Sequence, residues 1–231
     1  MDDPVDDLLD TFDDALEDGK LDVARQILAA ADAVAPDDAR VRYAGAQLLA
    51  EEGNDAEARE VLEALVAAEP YAADAFHSLG WVCERLGDRN GMRAAWLRVL
   101  MLDQVADEEE KLVRPKDEKL VARVAEATLN ALPDELAARL ENVAVVLEKR
   151  PPHAIVETGF DPRAYGLFEG PMDGDDGIAA PTRVVLFVAN LVADFGDEDE
   201  LLEEQVRITV LHEVGHFFGL DEDGVAALGL A

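Results

Sequence analysis

The feature that most constrains this chain is a spacing. Gly19, Gly53 and Gly87 recur every 34 residues, and the columns Leu28, Leu62, Trp96 and Ala31, Leu65, Val99 keep the same step. Pro36 and Pro70 keep it with Gln104 in the third place, and Ala24 and Ala58 keep it with Met92 in the third. Self-similarity at such a period marks stacked supersecondary units, none of which can bury its apolar face alone. Each period reads as two amphipathic helices joined at the glycine and closed near the proline. Small residues stand where the helices approach closely, and large ones fill the layer between units.

These columns resemble the tetratricopeptide repeat family. The third period carries Leu79-Gly80, Gly87 and Trp96, and the second carries Ala46, Gly53, Ala58 and Pro70. The first keeps Gly19, Ala24 and Pro36 but lacks the first-helix signature, as a terminal capping repeat does. The resemblance covers about residues 5–105 and implies an all-α helical stack of about three repeats. It also implies a groove open to a peptide or protein partner, faced by Tyr43, Gln47, Asp74, His77 and Ser78. His77 reads as a polar groove residue rather than a metal ligand. Trp81 and Trp96 read as core, and Cys83 as a small buried hydrophobe.

Composition narrows the function classes. At 49% hydrophobic, 231 residues suffice for one large domain or two small ones. Twenty basic against fifty-two acidic residues give a formal net charge of −32. Sequence-independent nucleic-acid binding needs Lys and Arg to displace counterions from phosphates, so that class is excluded. Docking on anionic membranes is disfavoured for the same reason. The acids are spread over both halves, which reads as a solvated, self-repelling surface of the kind suited to a salty cytoplasm. A single cysteine excludes an internal disulfide framework. Met1-Asp2-Asp3-Pro4 lacks the basic and apolar regions of a signal peptide, and no apolar run approaches the roughly 20 residues that span a bilayer. A cytoplasmic protein is the expectation.

Past residue 105 the period stops. Residues 106–117 read as a charged linker around Pro115, and residues 118–231 as a second domain. A helix is expected from Glu118 to Leu132. After Pro133, Asp134 is placed to cap a short helix to Leu140. The β-branched run 142–148 reads as a buried strand and 183–188 as another, with 153–181 irregular between them. A long helix from Glu200 to Phe218 follows, acidic in its first turn and stopped by Gly219.

On that helix lies His212-Glu213-Val214-Gly215-His216. Histidines at i and i+4 project from one face, close enough for both imidazoles to bind one Zn²⁺. Glu213 sits one position around the turn, within reach of a water that the metal activates. There it can act as general base and pass the proton on to a leaving amine. A third ligand is needed. Gly219 lets the chain turn back, and spacing favours Glu222, with Asp221 and Asp223 beside it as alternatives.

The stretch from about Ala122 onward resembles the small bacterial zincin-like metallopeptidases. The matching segments are Leu132–Leu136, Asn142–Glu148, Gly166–Gly170, Val184–Val188 and Thr209–Leu220. The family pattern, similar to HExxHxxGxxD, implies His212 and His216 as zinc ligands and Glu213 as the base, with Glu222 where an aspartate is usual. The fold implied is a small α+β domain with a modest sheet beside the active-site helix. By analogy with zincins, Val184–Val188 is expected as the edge strand that pairs with a peptide. Tyr165 reads mainly as packing, with an oxyanion role as the alternative, and His153 as an exposed loop residue.

Two functions follow from these readings. One is a zinc metallopeptidase whose repeats recruit a substrate or partner. The other is a repeat-based adaptor whose zincin domain binds metal or peptide without turnover.

Overall fold

A computed structural model of the chain describes residues 3–140, 143–170, 182–221 and 224. The chain divides into two compact units, Met1–Leu102 with Val156–Gly159, and Asp103–Ile155 with Phe160–Ala231. The first is all-α. The second combines helices with a small mixed sheet.

Among the described residues, six helices form three pairs, the last helix running on into the second unit: α1 (Pro4–Glu17) with α2 (Leu21–Val34), α3 (Ala39–Glu51) with α4 (Asp55–Ala68), and α5 (Ala73–Arg85) with α6 (Arg89–Glu110). Each period begins with the first helix of a pair and turns at its glycine. Gly19, Gly53 and Gly87 adopt φ of 68°, 78° and 75°, the left-handed region that a side chain disfavours. The repeated columns form the core. Ala24, Ala58 and Met92 are buried, as are Ala31, Leu65 and Val99, and as are Leu62 and Trp96. Leu28 is only half-buried. Gly80 is small for a steric reason, since a Cβ there would run into the Trp96 indole. The Trp96 Nε1–H donates to the His77 carbonyl at 3.4 Å. Cys83 is buried as expected. Trp81 is not core: it is 39% exposed and stacks edge-on against Trp96, with ring centroids 5.2 Å apart.

Residues 106–117, expected as a linker, are helical through Glu110 in α6 and again from Pro115 in α7 (Pro115–Asn130). The division between units falls inside α6, between Leu102 and Asp103. Charge does not exclude helix here, because Asp117 caps α7. Its Oδ2 accepts the Arg114 backbone N–H at 2.9 Å and the Arg114 Nε at 2.8 Å, and Asp117 is buried. Pro133 is the N-cap of α8 (Asp134–Ala137), so Asp134 begins that helix instead of capping it, and a 3₁₀ turn follows over Ala138–Leu140.

Among the described residues the sheet has three strands, β1 (Val143–Glu148), β2 (Gly166–Glu169) and β3 (Thr182–Phe187), in the order β1-β3-β2. β1 runs parallel to β3, with Val145 opposite Val184, and β2 runs antiparallel to it, with Phe168 opposite Val184. α9 (His153–Val156) precedes β2, with His153 exposed at its start. β3 passes directly into α10 (Val188–Phe195), and α11 (Asp199–Phe217) completes the described elements. Val188, expected as the last strand residue, is thus the first of a helix. β3 is central, with a partner on each side, so it is not the edge strand that was expected beside the active-site helix.

The core of this unit packs Val121, Val124 and Ala125 of α7 and Val184 and Leu186 of β3 against Leu202, Val206, Val210, Val214 and Phe217 of α11. The α11 positions recur at three to four residues, the stripe one helix face needs. A second, polar cluster lies among α6, α10 and the loops around β1 and β2. The Arg150 side chain is 6% exposed. It donates to both carboxylate oxygens of Asp107 at 2.6 and 2.8 Å, to Asp103 Oδ2 at 3.0 Å and to Asn190 Oδ1 at 2.7 Å. Arg163 grips Asp103 from a second direction, at 2.9 and 3.0 Å. The Asn190 amide in turn donates to the Pro162 and Ala164 carbonyls at 3.0 and 2.5 Å. Two guanidinium groups and two carboxylates balance in charge, and the forked geometry supplies most of their hydrogen bonds.

Removing one member of such a buried set strands the others. Arg150→Ala is expected to cost about 3–5 kcal/mol, read as the urea midpoint of the C-terminal unit. Arg25→Ala, which breaks an exposed pair with Glu52, is expected to cost less than about 1 kcal/mol, read as the urea midpoint of the N-terminal unit.

Candidate metal site and its cleft

α11 is positioned by its apolar face, and the candidate site occupies the adjoining one. Glu213, at 6% exposed, is almost withdrawn from water, whereas His212 and His216 are half-buried. The two imidazoles meet edge-on, with Nε2 of one 3.0 Å from Nε2 of the other.

The helix end explains how His216 is oriented. Gly219 takes φ of 80°. Its N–H donates to the His216 carbonyl at 3.0 Å, and the Leu220 N–H donates to the Gly215 carbonyl at 3.1 Å. This pair of bonds is the Schellman closure, which needs a left-handed residue at the turn. The closure folds the Leu220 carbonyl back to 3.0 Å from His216 Nδ1. A carbonyl can only accept, so Nδ1 carries the proton and Nε2 presents its lone pair.

The donor set fits a zinc ion on that observation. Two nitrogens at zinc-bond length in tetrahedral geometry stand about 3.3 Å apart, close to the spacing here, and one imidazole already has the required tautomer. Of the third-ligand candidates, Glu222 and Asp223 lie outside the described residues. Asp221 is exposed, and its Oδ1 accepts the Gly224 N–H at 2.9 Å. No group of three or more His, Cys, Asp or Glu side chains suited to a metal occurs among the described residues.

A cleft of about 570 Å³ opens beside the pair, lined by α11, by β2 and by the segment leading into β2. The close approach of β2 depends on a missing side chain. A Cβ on Gly166 would stand 2.8 Å from Thr209 Cγ2 and 2.9 Å from Glu213 Oε1. Glycine is therefore required for space, and the Glu213 carboxylate lies against bare backbone. Tyr165 lines the same cleft, and its hydroxyl donates to Asp194 Oδ2 at 2.8 Å. Burial, reinforced by the Asp194 carboxylate, pushes the phenol's pKa well up, so Tyr165 keeps its proton at neutral pH and commits it to Asp194. Its ring also packs on Phe195.

Residues 140–230 match the family model described as zincin-like metallopeptidase, and residues 15–79 match that of the tetratricopeptide repeat. The two matches lie in the order expected, repeats before a zincin-like region. No curated protein matches it. The motif helix and the cleft both lie within the zincin-like match, and the repeat match runs from the end of α1 through α2, α3 and α4 into α5.

The expected groove residues of the repeats come together in part. Tyr43 and Ser78 hydroxyls lie 2.9 Å apart, and Tyr43 reaches the Asp74 carbonyl at 3.5 Å. Gln47 and Ser78 share a concavity of about 220 Å³ with Trp81 and Arg85. Several site residues were not anticipated, among them Gln205, Ile208, Thr209 and the role of Gly166. The signal was present for the first three, since they precede His212 by seven, four and three residues on one helix face.

The Gly166 contact predicts a coupled pair of substitutions. Gly166→Ala is expected to destabilise the domain by about 1–3 kcal/mol through overpacking. Thr209→Ser, which deletes the nearest methyl, is expected to recover part of that loss. Chemical denaturation of the two single variants and the double variant checks the coupling.

Proposed function

We propose that the chain is a zinc-dependent metallopeptidase in which His212 and His216 hold the metal, Glu222 is the third ligand and Glu213 is the general base. The observation that carries this reading is the 3.0 Å approach of the two Nε2 atoms, with His216 Nδ1 committed to a carbonyl and the buried Glu213 carboxylate one residue after His212. Zn²⁺, when bound, supplies Lewis-acid activation of water and of a peptide carbonyl. Glu213 takes the proton of the attacking water and delivers it to the leaving amine. Its burial against Gly166 limits competing hydration and holds the carboxylate to a narrow range of positions. β2, an edge strand among the described residues, stands beside α11 and replaces β3 as the strand able to align an extended peptide.

In this reading the repeats recruit a peptide or protein partner, for which the concavity at Gln47, Ser78 and Trp81 is the candidate surface. The net charge of −32 disfavours nucleic acid and anionic membrane as partners. No helix among the described residues is long and apolar enough to cross a membrane.

Elemental mass spectrometry on protein purified without a chelating tag is expected to find about one zinc per chain, lost in His216→Ala. Glu213→Gln is expected to keep the zinc and lose peptide cleavage. Equal cleavage by wild type and Glu213→Gln would overturn the role of the base. Zinc bound without cleavage in either would favour the adaptor.

A further inference from the structure

The cleft beside the histidine pair is walled by apolar side chains. We infer that it is a specificity pocket, selecting peptides that place a large apolar residue, aromatic or leucine-like, next to the bond held at His212 and His216. This rests on the peptidase reading and names its substrate class.

Phe160, Leu167, Phe168 and Ile208 line the cavity, each only half-buried. Apolar side chains left half-exposed around one concavity mark a place where an apolar partner displaces water. Ile208 stands one turn before His212 on the same face of α11, about 6 Å along the axis at the α-helical rise. Leu167, on β2, belongs to the opposite wall. A side chain entering here is therefore adjacent to the reacting bond, between a helix wall and a strand wall.

Charge selects in the same direction. Neither Lys nor Arg is among the described lining residues. A substrate carboxylate would lose its hydration with no lysine or arginine to pair with among the described lining residues, beside Glu213 and in a chain of net charge −32. A large apolar side chain loses only unfavourable contact with water. The cavity of about 570 Å³ is ample for an aromatic ring.

The test uses the full zinc-loaded chain and blocked heptapeptides of one sequence. They vary among Phe, Leu, Ala, Lys and Glu on either side of the central bond. Cleavage is read by mass spectrometry on wild type, and binding by fluorescence anisotropy on Glu213→Gln. Phe and Leu peptides are expected to be preferred over Ala by about tenfold or more, with Glu the weakest. Ile208→Lys is expected to invert the order in favour of Glu with zinc content unchanged. Leu167→Lys, on the opposite wall, gives the same reading if the first variant does not fold.

Cleavage without discrimination among the peptides overturns the inference, and so does a selectivity that neither lysine variant alters. Absence of cleavage together with apolar-selective binding that the lysine variants invert upholds the pocket and removes the peptidase reading. Absence of both cleavage and selective binding overturns the pocket.

Discussion

Withdrawing the Glu213 carboxylate from water is the constraint around which the C-terminal unit is arranged. Burying an ionisable group costs several kcal/mol unless its surroundings compensate, and a domain this small tolerates that only where the position is needed. The helix that carries Glu213 also supplies the unit's apolar core, through Leu202, Val206, Val210, Val214 and Phe217. One face therefore anchors the helix while the next presents Ile208, His212 and His216 to a cleft. Because the anchoring residues and the chemical residues alternate along the same 3.6-residue period, the site inherits the rigidity of the core.

The strand facing that helix is held by different physics. β2 is only four residues long, too short to fix its own place by apolar burial. Its approach is set by the segment before it, where Asn190 takes the Pro162 and Ala164 carbonyls and Arg163 takes Asp103. Arg150 ties the same asparagine and the same aspartate to Asp107. A directional polar cluster specifies one arrangement of several loops, which apolar contact alone would leave free to slide. Its cost in desolvation is offset by the near-complete pairing of charges.

The first unit shows a simpler economy. Its stability comes from repeating one local solution, with a left-handed glycine at each turn and small residues at each close approach. The ordered exception is Trp96, whose bulk at the third period is accommodated by Gly80 and whose indole finds the His77 carbonyl. The acidic surface does not disturb this pattern, since the side chains of the repeated columns lie inside and the charges outside. In the second unit, the buried Asp117 is drawn in by a specific partner, Arg114, and not by patterning.

The sequence by itself determined the repeat, the motif helix and the way that helix ends. These are local facts: a 34-residue period, an i, i+4 pair of histidines and a glycine at the stop all follow from backbone geometry within a few turns. It also identified both β1 and β3 as strands, but only β3 is buried; β1 is half-buried, with Ala144 exposed. It did not separate β3 from α10, because Val188 continues an apolar run whose period cannot distinguish a short strand from a buried helix. It missed β2, since Gly166–Glu169 is too brief to display alternation, and it placed β3 at an edge because strand order is a pairing between distant segments. The polar cluster was invisible for the same reason: Asp103, Arg150, Arg163 and Asn190 are far apart in the chain. Only the tertiary structure decided which strand stands beside the motif helix, why Gly166 must lack a side chain, and what lines the cleft. Each depends on distances between residues that no local pattern encodes.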